Sequence, residues 1–516
     1  MTVFIVAIAL GLCSLFIWSE LNKPAAVIPS LAPRWSLLGS LQSLTRGKEM
    51  LLSVYRRQLV DNRPYALPGL FGSSIILPPS MLHWLVSQPE SVLSAKHAQL
   101  DALNITTTFL RPEIGEEPHH EPLVRRELTA HLDAVEASMW DEVGAALAEV
   151  WGKECGEGWR KVNLDKTVRH VVARASNRVF IGRELCRNTA FILSVITYVT
   201  RVSTYGLLLS LVPRRLRPLA APVARFPIAT SYAPCEAHLL PLFKDFVARH
   251  ESDPQSLPPH LFATWLVASS HTRFSPESLE RTPDFLSRRV MALNFAAVHT
   301  STLTTCNLLL DVFSNSPLAS ESLRNEALAI SREWGPGNCR RSRLNSMSQL
   351  DSALRESMRL WGVAPRALRR RVMSPKGVAL PFGKAGEGMT VCVNGWGIHH
   401  DEELYRGAGR FVWDRFMRKR PEMPEQKYEE EKGDDEKRKG DAAAAAVETD
   451  ERFTAWGIGK HACPGRFFAV DLVKMILAHV LVDYEVERLW ERPDNLWIEY
   501  NNFPPPGATL RVRRRS

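Results

Sequence analysis

Residues 456–469 read WGIGKHACPGRFFA. Gly457 and Gly459 give a tight backbone, free of side chains, just before Cys463, and Pro464 and Gly465 close the turn after it. Leu472, Val473, Ile476, Leu477, Val480 and Leu481 then recur at helical spacing. The sulfur therefore stands at the mouth of a buried helix, where unpaired N–H groups and the positive end of the helix dipole favour thiolate over thiol. A cysteine in a glycine-rich turn is, on its own, more often a small buried apolar residue. The surrounding chain decides between the two.

Moving outward, Glu356 and Arg359 (ESMR) lie at i and i+3 on one helix face, and FVWDRF at 411–416 supplies Arg415. Alone, such a pair reads as a surface salt bridge. Thr282-Pro283 reads as a helix start, with a capping hydroxyl and proline at the first helical position. No proline interrupts Asp284 to Phe313, and a helix of about 30 residues spans roughly 45 Å, enough to cross a domain. That run contains Ala296-Ala297-Val298-His299-Thr300-Ser301. Helical periodicity dominates from about 120 to 360. Residues 63–77 (RPYALPGLFGSSIIL) alternate β-prone runs with Gly and Pro, predicting a small sheet, and Ser80 to Val86 is helix-like.

Taken together these segments resemble the cytochrome P450 superfamily. Its cysteine loop has an aromatic residue, Gly-x-Gly, a basic residue two before Cys and Gly two after, here Trp456, Gly457, Gly459, His461, Cys463 and Gly465. GKHACPGRFFA, FIGRELCRN at 180–188 and the AxxHT form at 296–300 are similar to the fungal secondary-metabolism branch, of ent-kaurene oxidase and indole-diterpene oxidase type. The resemblance implies a mainly α fold with a small β region, in which haem b lies between the 284–313 helix and the helix after Cys463. It implies Cys463 as the iron ligand, whose thiolate assists O–O cleavage, and His461 as a haem-propionate contact. Arg125 is implied as a second propionate contact, although Glu121 stands four before it where the family has Trp. Arg126 is the neighbouring candidate, and Arg369, Arg370 and Arg371 leave a further propionate partner open. Glu356, Arg359 and Arg415 would form a buried charged triad. Thr300 would be the hydroxyl that assists oxygen activation. His299 stands where the family more often has an acid, either as a proton shuttle near neutral pH or as a satisfied histidine beside the haem. Trp456 replaces the usual Phe, and its indole has a hydrogen bond to give.

Composition agrees with such an enzyme. The chain has 516 residues, 45% of them apolar, ample for a large core. Its 8 cysteines are scattered without a CxxC pair, which argues against a zinc ribbon or a disulfide framework. The net charge of +9 is spread along the chain without a nucleic-acid motif, so it suits anionic lipid or an acidic electron donor rather than nucleic acid. Val3 to Trp18 carries no charge and is followed by Lys23 and Arg34, reading as a membrane anchor at 1–22 with the rest of the chain cytosolic. Pro24, Pro29 and Pro33 read as a hinge to one haem domain at 23–516. Residues 206–217 read equally as a helix end with a basic tip or as a second membrane contact, and about 425–446 as a low-complexity surface insertion. The expected protein is a single-pass enzyme of the endoplasmic reticulum membrane. It would take NADPH electrons through a separate membrane-bound flavoprotein reductase and use O2 to oxidise a lipophilic, terpenoid natural product. A haem-thiolate isomerase or dehydratase needing no O2, and a non-catalytic haem-binding membrane protein, are the alternatives.

Overall fold

A computed structural model describes residues 28–29, 37–69, 73–152, 158–210, 212, 216–331, 341–417 and 444–515. The anchor at 1–22, Pro24, Pro33 and most of the 425–446 block lie outside the described residues. The chain runs through α1 (Leu37–Asp61), β1 (Tyr65–Leu67), β2 (Ser74–Leu77), β3 (Leu93–Ser94) and α2 (Ala95–Leu103). The helical body follows, with α3 (Leu132–Leu147), β4 (Arg160–Asn163), α4 (Leu164–Phe180), α5 (Thr189–Ser210), α6 (Arg217–Ser252) and α7 (Pro283–Ser314). After α8 (Pro317–Ser331) and α9 (Ser348–Trp361) come β5 (Arg366–Val372) and β6 (Thr390–Asn394). The C-terminal part is α10 (Arg466–Asp483), β7 (Tyr484–Val486), the hairpin β8 (Leu496–Ile498) and β9 (Asn501–Phe503), and β10 (Thr509–Arg514).

Helix α7 is the axis of the molecule. Thr282 caps it, its hydroxyl accepting from the Phe285 N–H at 3.4 Å, and Pro283 supplies the preset first turn. It packs against α4, α5, α6, α9 and α10. Phe285, Leu308, Leu309 and Leu310 are almost wholly buried, each contributing roughly 1.5–3 kcal/mol. Asn294 exchanges amide hydrogen bonds with Asn177 of α4 at 2.7 and 3.1 Å, so this buried polar pair is satisfied. Helix α5 is long and apolar enough to cross a membrane by length and composition, and it packs against α2, α4, α6 and α7.

The main sheet has the order β1-β2-β6-β5-β3, parallel between β2 and β6 and antiparallel elsewhere. The β5–β6 register shifts between Ala367 and Arg370, and Leu368 within that bulge has φ 54°. A bulge interrupts strand alternation, and a non-glycine residue at positive φ is uncommon there. A second sheet, β4-β10-β7, pairs the C-terminal strand with the strand that leads into α4 and the strand that follows α10.

Glu356 of α9 joins the helices to the irregular chain that leads into the cysteine loop. Its carboxylate accepts from Arg359 at 2.8 and 2.9 Å, from Arg415 Nε at 3.0 Å on both oxygens, and from the Val412 N–H at 3.1 Å. Arg359 also donates to the carbonyls of His399 and Ala408, and Arg415 to that of Arg406. All three side chains are buried. Removing the carboxylate strands two buried guanidinium groups. We expect Glu356→Ala to cost roughly 3–5 kcal/mol, seen as a large fall in thermal midpoint or as failure to accumulate folded protein.

Candidate active site

Gly457 and Gly459 adopt φ of 73° and 66°, the left-handed region where a Cβ is disfavoured. The turn they permit is closed by the Gly457 N–H to the Thr454 carbonyl at 3.0 Å and by the Cys463 N–H to the Trp456 carbonyl at 2.8 Å. Arg466, opening α10, donates to the Cys463 carbonyl at 3.0 Å. Burial pushes the Cys463 thiol up, while the Gly465 N–H and the Arg466 charge pull it down. Burial is the larger effect, and a metal ion bound there would take the deprotonated sulfur.

The indole of Trp456 donates to the Ala446 carbonyl at 2.7 Å, so its hydrogen bond is committed away from the sulfur. Ala446 is fully buried, and its N–H donates to Asp351 of α9 at 2.6 Å. The end of the 425–446 block is therefore part of the core rather than a surface insertion.

A cavity of about 2530 Å³ opens over Cys463. Ala296 and Thr300 of α7, Leu368 of β5 and the β8–β9 hairpin supply other walls. The Thr300 hydroxyl donates to the Ala296 carbonyl at 2.8 Å. His299 also lines the cavity, but its Nδ1 lies 3.3 Å from Arg169 Nη1 on α4, and Arg169 is in turn paired with Asp165. Burial, then the Arg169 charge, lowers the imidazole to about 4. His299 is thus neutral near neutral pH, which favours the satisfied histidine over the proton shuttle.

At one edge of the cavity, cations gather. The His461 ring lies 3.0 Å from Glu90, and Arg125 Nη1 donates to the Lys460 carbonyl at 3.2 Å. Burial, followed by the charge of Arg370, holds His461 below its ordinary value, with Lys460 and Arg125 acting in the same direction. Arg370 is buried, and its Nη2 has no hydrogen-bond partner. Of the paired candidates, Arg125, Arg369 and Arg370 line the cavity, whereas Arg371 is tied to Asp101 at 3.1 Å. Glu121 lines it too, its carboxyl raised by burial against the pull of Arg125.

One group escaped sequence reasoning. Asp311 of α7 is fully buried and accepts from Ser357 at 2.6 Å, from the Trp361 indole at 2.9 Å and from Arg492 Nε at 2.5 Å. Burial raises it to about 6 in spite of Arg492. Arg492 and Asn495 both donate to Asn307, at 2.8 and 3.1 Å, and Asn495 donates to Asn502 at 2.9 Å. This network ties the β8–β9 hairpin, a cavity wall, to α7. Its residues are far apart in the chain, and the only local signal was an acid inside an apolar helical run.

A sulfur at a helix start, sharing a cavity with a threonine on a long central helix, defines a helical protein built around a thiolate-ligated cofactor. Residues 117–497 match the family model for cytochrome P450, and the chain belongs to that family. It is 28% identical to the cytochrome P450 monooxygenase lnaC of Aspergillus flavus, over 96% of this chain and 92% of that protein. It is 30% identical to the cytochrome P450 monooxygenase fumoB of Cordyceps fumosorosea, over 86% of this chain and 78% of that protein. The crystal structure of the cytochrome P450DA heme domain shares the fold, with TM-score 0.65 and 15% identity over 95% of this chain and 98% of that one. The chain is accordingly a haem monooxygenase of fungal type, working with O2, a redox partner and a small-molecule substrate. Haem b fits the residues present: a half-buried sulfur facing the cavity, apolar walls, and in Arg370 a buried cation with an unused N–H for a propionate.

The Asp311 network yields a test. Asp311→Ala leaves Arg492 Nε, the Trp361 indole and Ser357 without their acceptor, and we expect a loss of about 3 kcal/mol, measured by denaturant or thermal unfolding. A shift within 0.5 kcal/mol, roughly that of a neutral surface change, would mean that Asp311 does not anchor this wall.

Proposed function

We propose that this chain takes electrons from NADPH through a separate, membrane-bound flavoprotein reductase and oxidises a C–H bond of a lipophilic, terpenoid natural product in fungal secondary metabolism. We further propose that residues 1–22 anchor it in the endoplasmic reticulum membrane, with residues 23–516 as one catalytic domain in the cytosol. The observation that carries this reading is the shared cavity of Cys463 and Thr300, with apolar walls that include Phe109, Leu293 and Phe295. Phe109 and Phe295 meet edge to face at 5.4 Å, forming a firm apolar surface suited to a rigid hydrocarbon.

Cys463 would hold the haem, within the turn formed by Trp456, Gly457, Gly459 and Gly465. His461, Arg125 and Arg370 would hold its propionates. Haem bound there would supply the iron chemistry for activating dioxygen, assisted by the thiolate. The residues opposite orient substrate and move protons. Thr300 keeps its hydroxyl proton on the Ala296 carbonyl; rotating that O–H points a donor into the cavity. His299, neutral and tied to Arg169, serves to accept a hydrogen bond rather than to carry charge. Glu356, Arg359 and Arg415 keep the cysteine loop in place.

In a carbon monoxide difference spectrum of the reduced, membrane-expressed protein, we expect the strongly red-shifted Soret band of thiolate ligation. Cys463→Ala should abolish it, and a variant that keeps the band would remove Cys463 as ligand. For Thr300→Ala, assayed with reductase and a turned-over substrate, we expect NADPH consumption to continue while product per NADPH falls, because a positioned proton donor is lost. Unchanged coupling would take Thr300 out of proton delivery.

A further inference from the structure

Strand β5 carries four arginines in the run RALRRRV, and their charges do not balance. Arg366 is paired with Glu499 at 3.5 Å and donates to Ser74 at 3.2 Å. Arg371 is paired with Asp101 at 3.1 Å. Arg370 belongs to the group around His461. That leaves Arg369. Its Nε is buried without a hydrogen-bond partner, and among the described residues no carboxylate lies within ion-pair distance of its guanidinium. Burial lowers it to about 10. Arg369 nevertheless lines the active-site cavity, beside Leu368 and the β8–β9 residues Ile498 and Glu499. The bulge at Leu368, with its φ of 54°, breaks the alternation that would otherwise fix the facing of consecutive side chains here.

Arg369 is half-buried, but its Nε is buried without a partner, which is costly unless an anion arrives to meet the guanidinium. The haem propionates are one source of such an anion. The charges that act on His461 are Arg370, Glu90, Lys460 and Arg125, whereas those around Arg369 are Arg366, Glu499 and Asp101. Arg369 therefore stands in a different charge neighbourhood from the propionate edge. We propose that Arg369 receives a carboxylate carried by an otherwise lipophilic substrate, an inference that rests on the function proposed above. The substrate class becomes a hydrophobic acid, its head at β5 and its hydrocarbon body along α7.

The test uses the full-length holoenzyme, titrated with hexadecanoic acid and abietic acid beside their methyl esters. Binding is followed by the substrate-induced Soret shift and by equilibrium dialysis. The acids should bind more tightly than the esters by roughly ten- to a hundredfold, the scale of a charge-assisted pair. Arg369→Met should erase that preference, leave ester affinity and haem content unchanged, and not lower the ligand-free thermal midpoint. Arg369→Lys should keep part of the preference. Equal affinity for acid and ester, parallel loss of both in Arg369→Met, or no saturable binding of either pair overturns the proposal. Lower haem content in Arg369→Met with the acid preference retained also overturns it, and assigns Arg369 to the haem propionates. A wild-type carbon monoxide spectrum without the thiolate band would instead sink the monooxygenase reading itself.

Discussion

Two guanidinium groups on one buried carboxylate hold the active site in register. Glu356 fixes Arg359, Arg359 holds the His399 carbonyl, and His399 Nε2 accepts from the Thr454 N–H at 2.9 Å. The Thr454 carbonyl then receives the Gly457 N–H, and the turn that ends in Cys463 begins. Each step is a hydrogen bond made in a region stripped of water, where a missing partner costs more than a present one contributes. The position of a sulfur atom is thus set by an acid more than one hundred residues upstream, through irregular chain that has no helix or sheet ladder of its own to define it.

A second buried acid organises the opposite side. Asp311 does for the distal wall what Glu356 does for the cysteine loop, but its environment differs. Glu356 faces two arginines and a backbone amide, whereas Asp311 has one arginine, an indole and a hydroxyl, and burial raises it to about 6. One charge among neutral donors compensates desolvation less fully than two. The hairpin that forms a cavity wall and the loop that carries Cys463 are thus each tied to a helix through one buried acid.

Much of this was legible because it is local. Gly457, Gly459 and Cys463 fall within one turn, Glu356 and Arg359 share a helix face, and Thr282-Pro283 marks the start of α7 by residue type alone. The fold class followed from that order of segments. What stayed hidden depends on partners distant in sequence. The His299 imidazole reads as a shuttle until Arg169, 130 residues away, is found against it. The Cys463 thiol reads as activated by its helix until the depth of its burial is known. The choice among Arg369, Arg370 and Arg371 turns on a bulge at Leu368 that no residue type announces.

The contacts at Ala446 carry a mechanical meaning. Its N–H is held by Asp351 and its carbonyl by the Trp456 indole, while Arg355 grips the carbonyls of Ala445 and Glu448 at 2.7 and 2.9 Å. Composition had assigned this point to a low-complexity surface insertion. In the folded chain it works as a strain-relief clamp: a pull arriving along the backbone from upstream is borne by α9 and spread over several hydrogen bonds before it reaches the cysteine. The ligand loop is thereby insulated from whatever length or load the preceding segment carries.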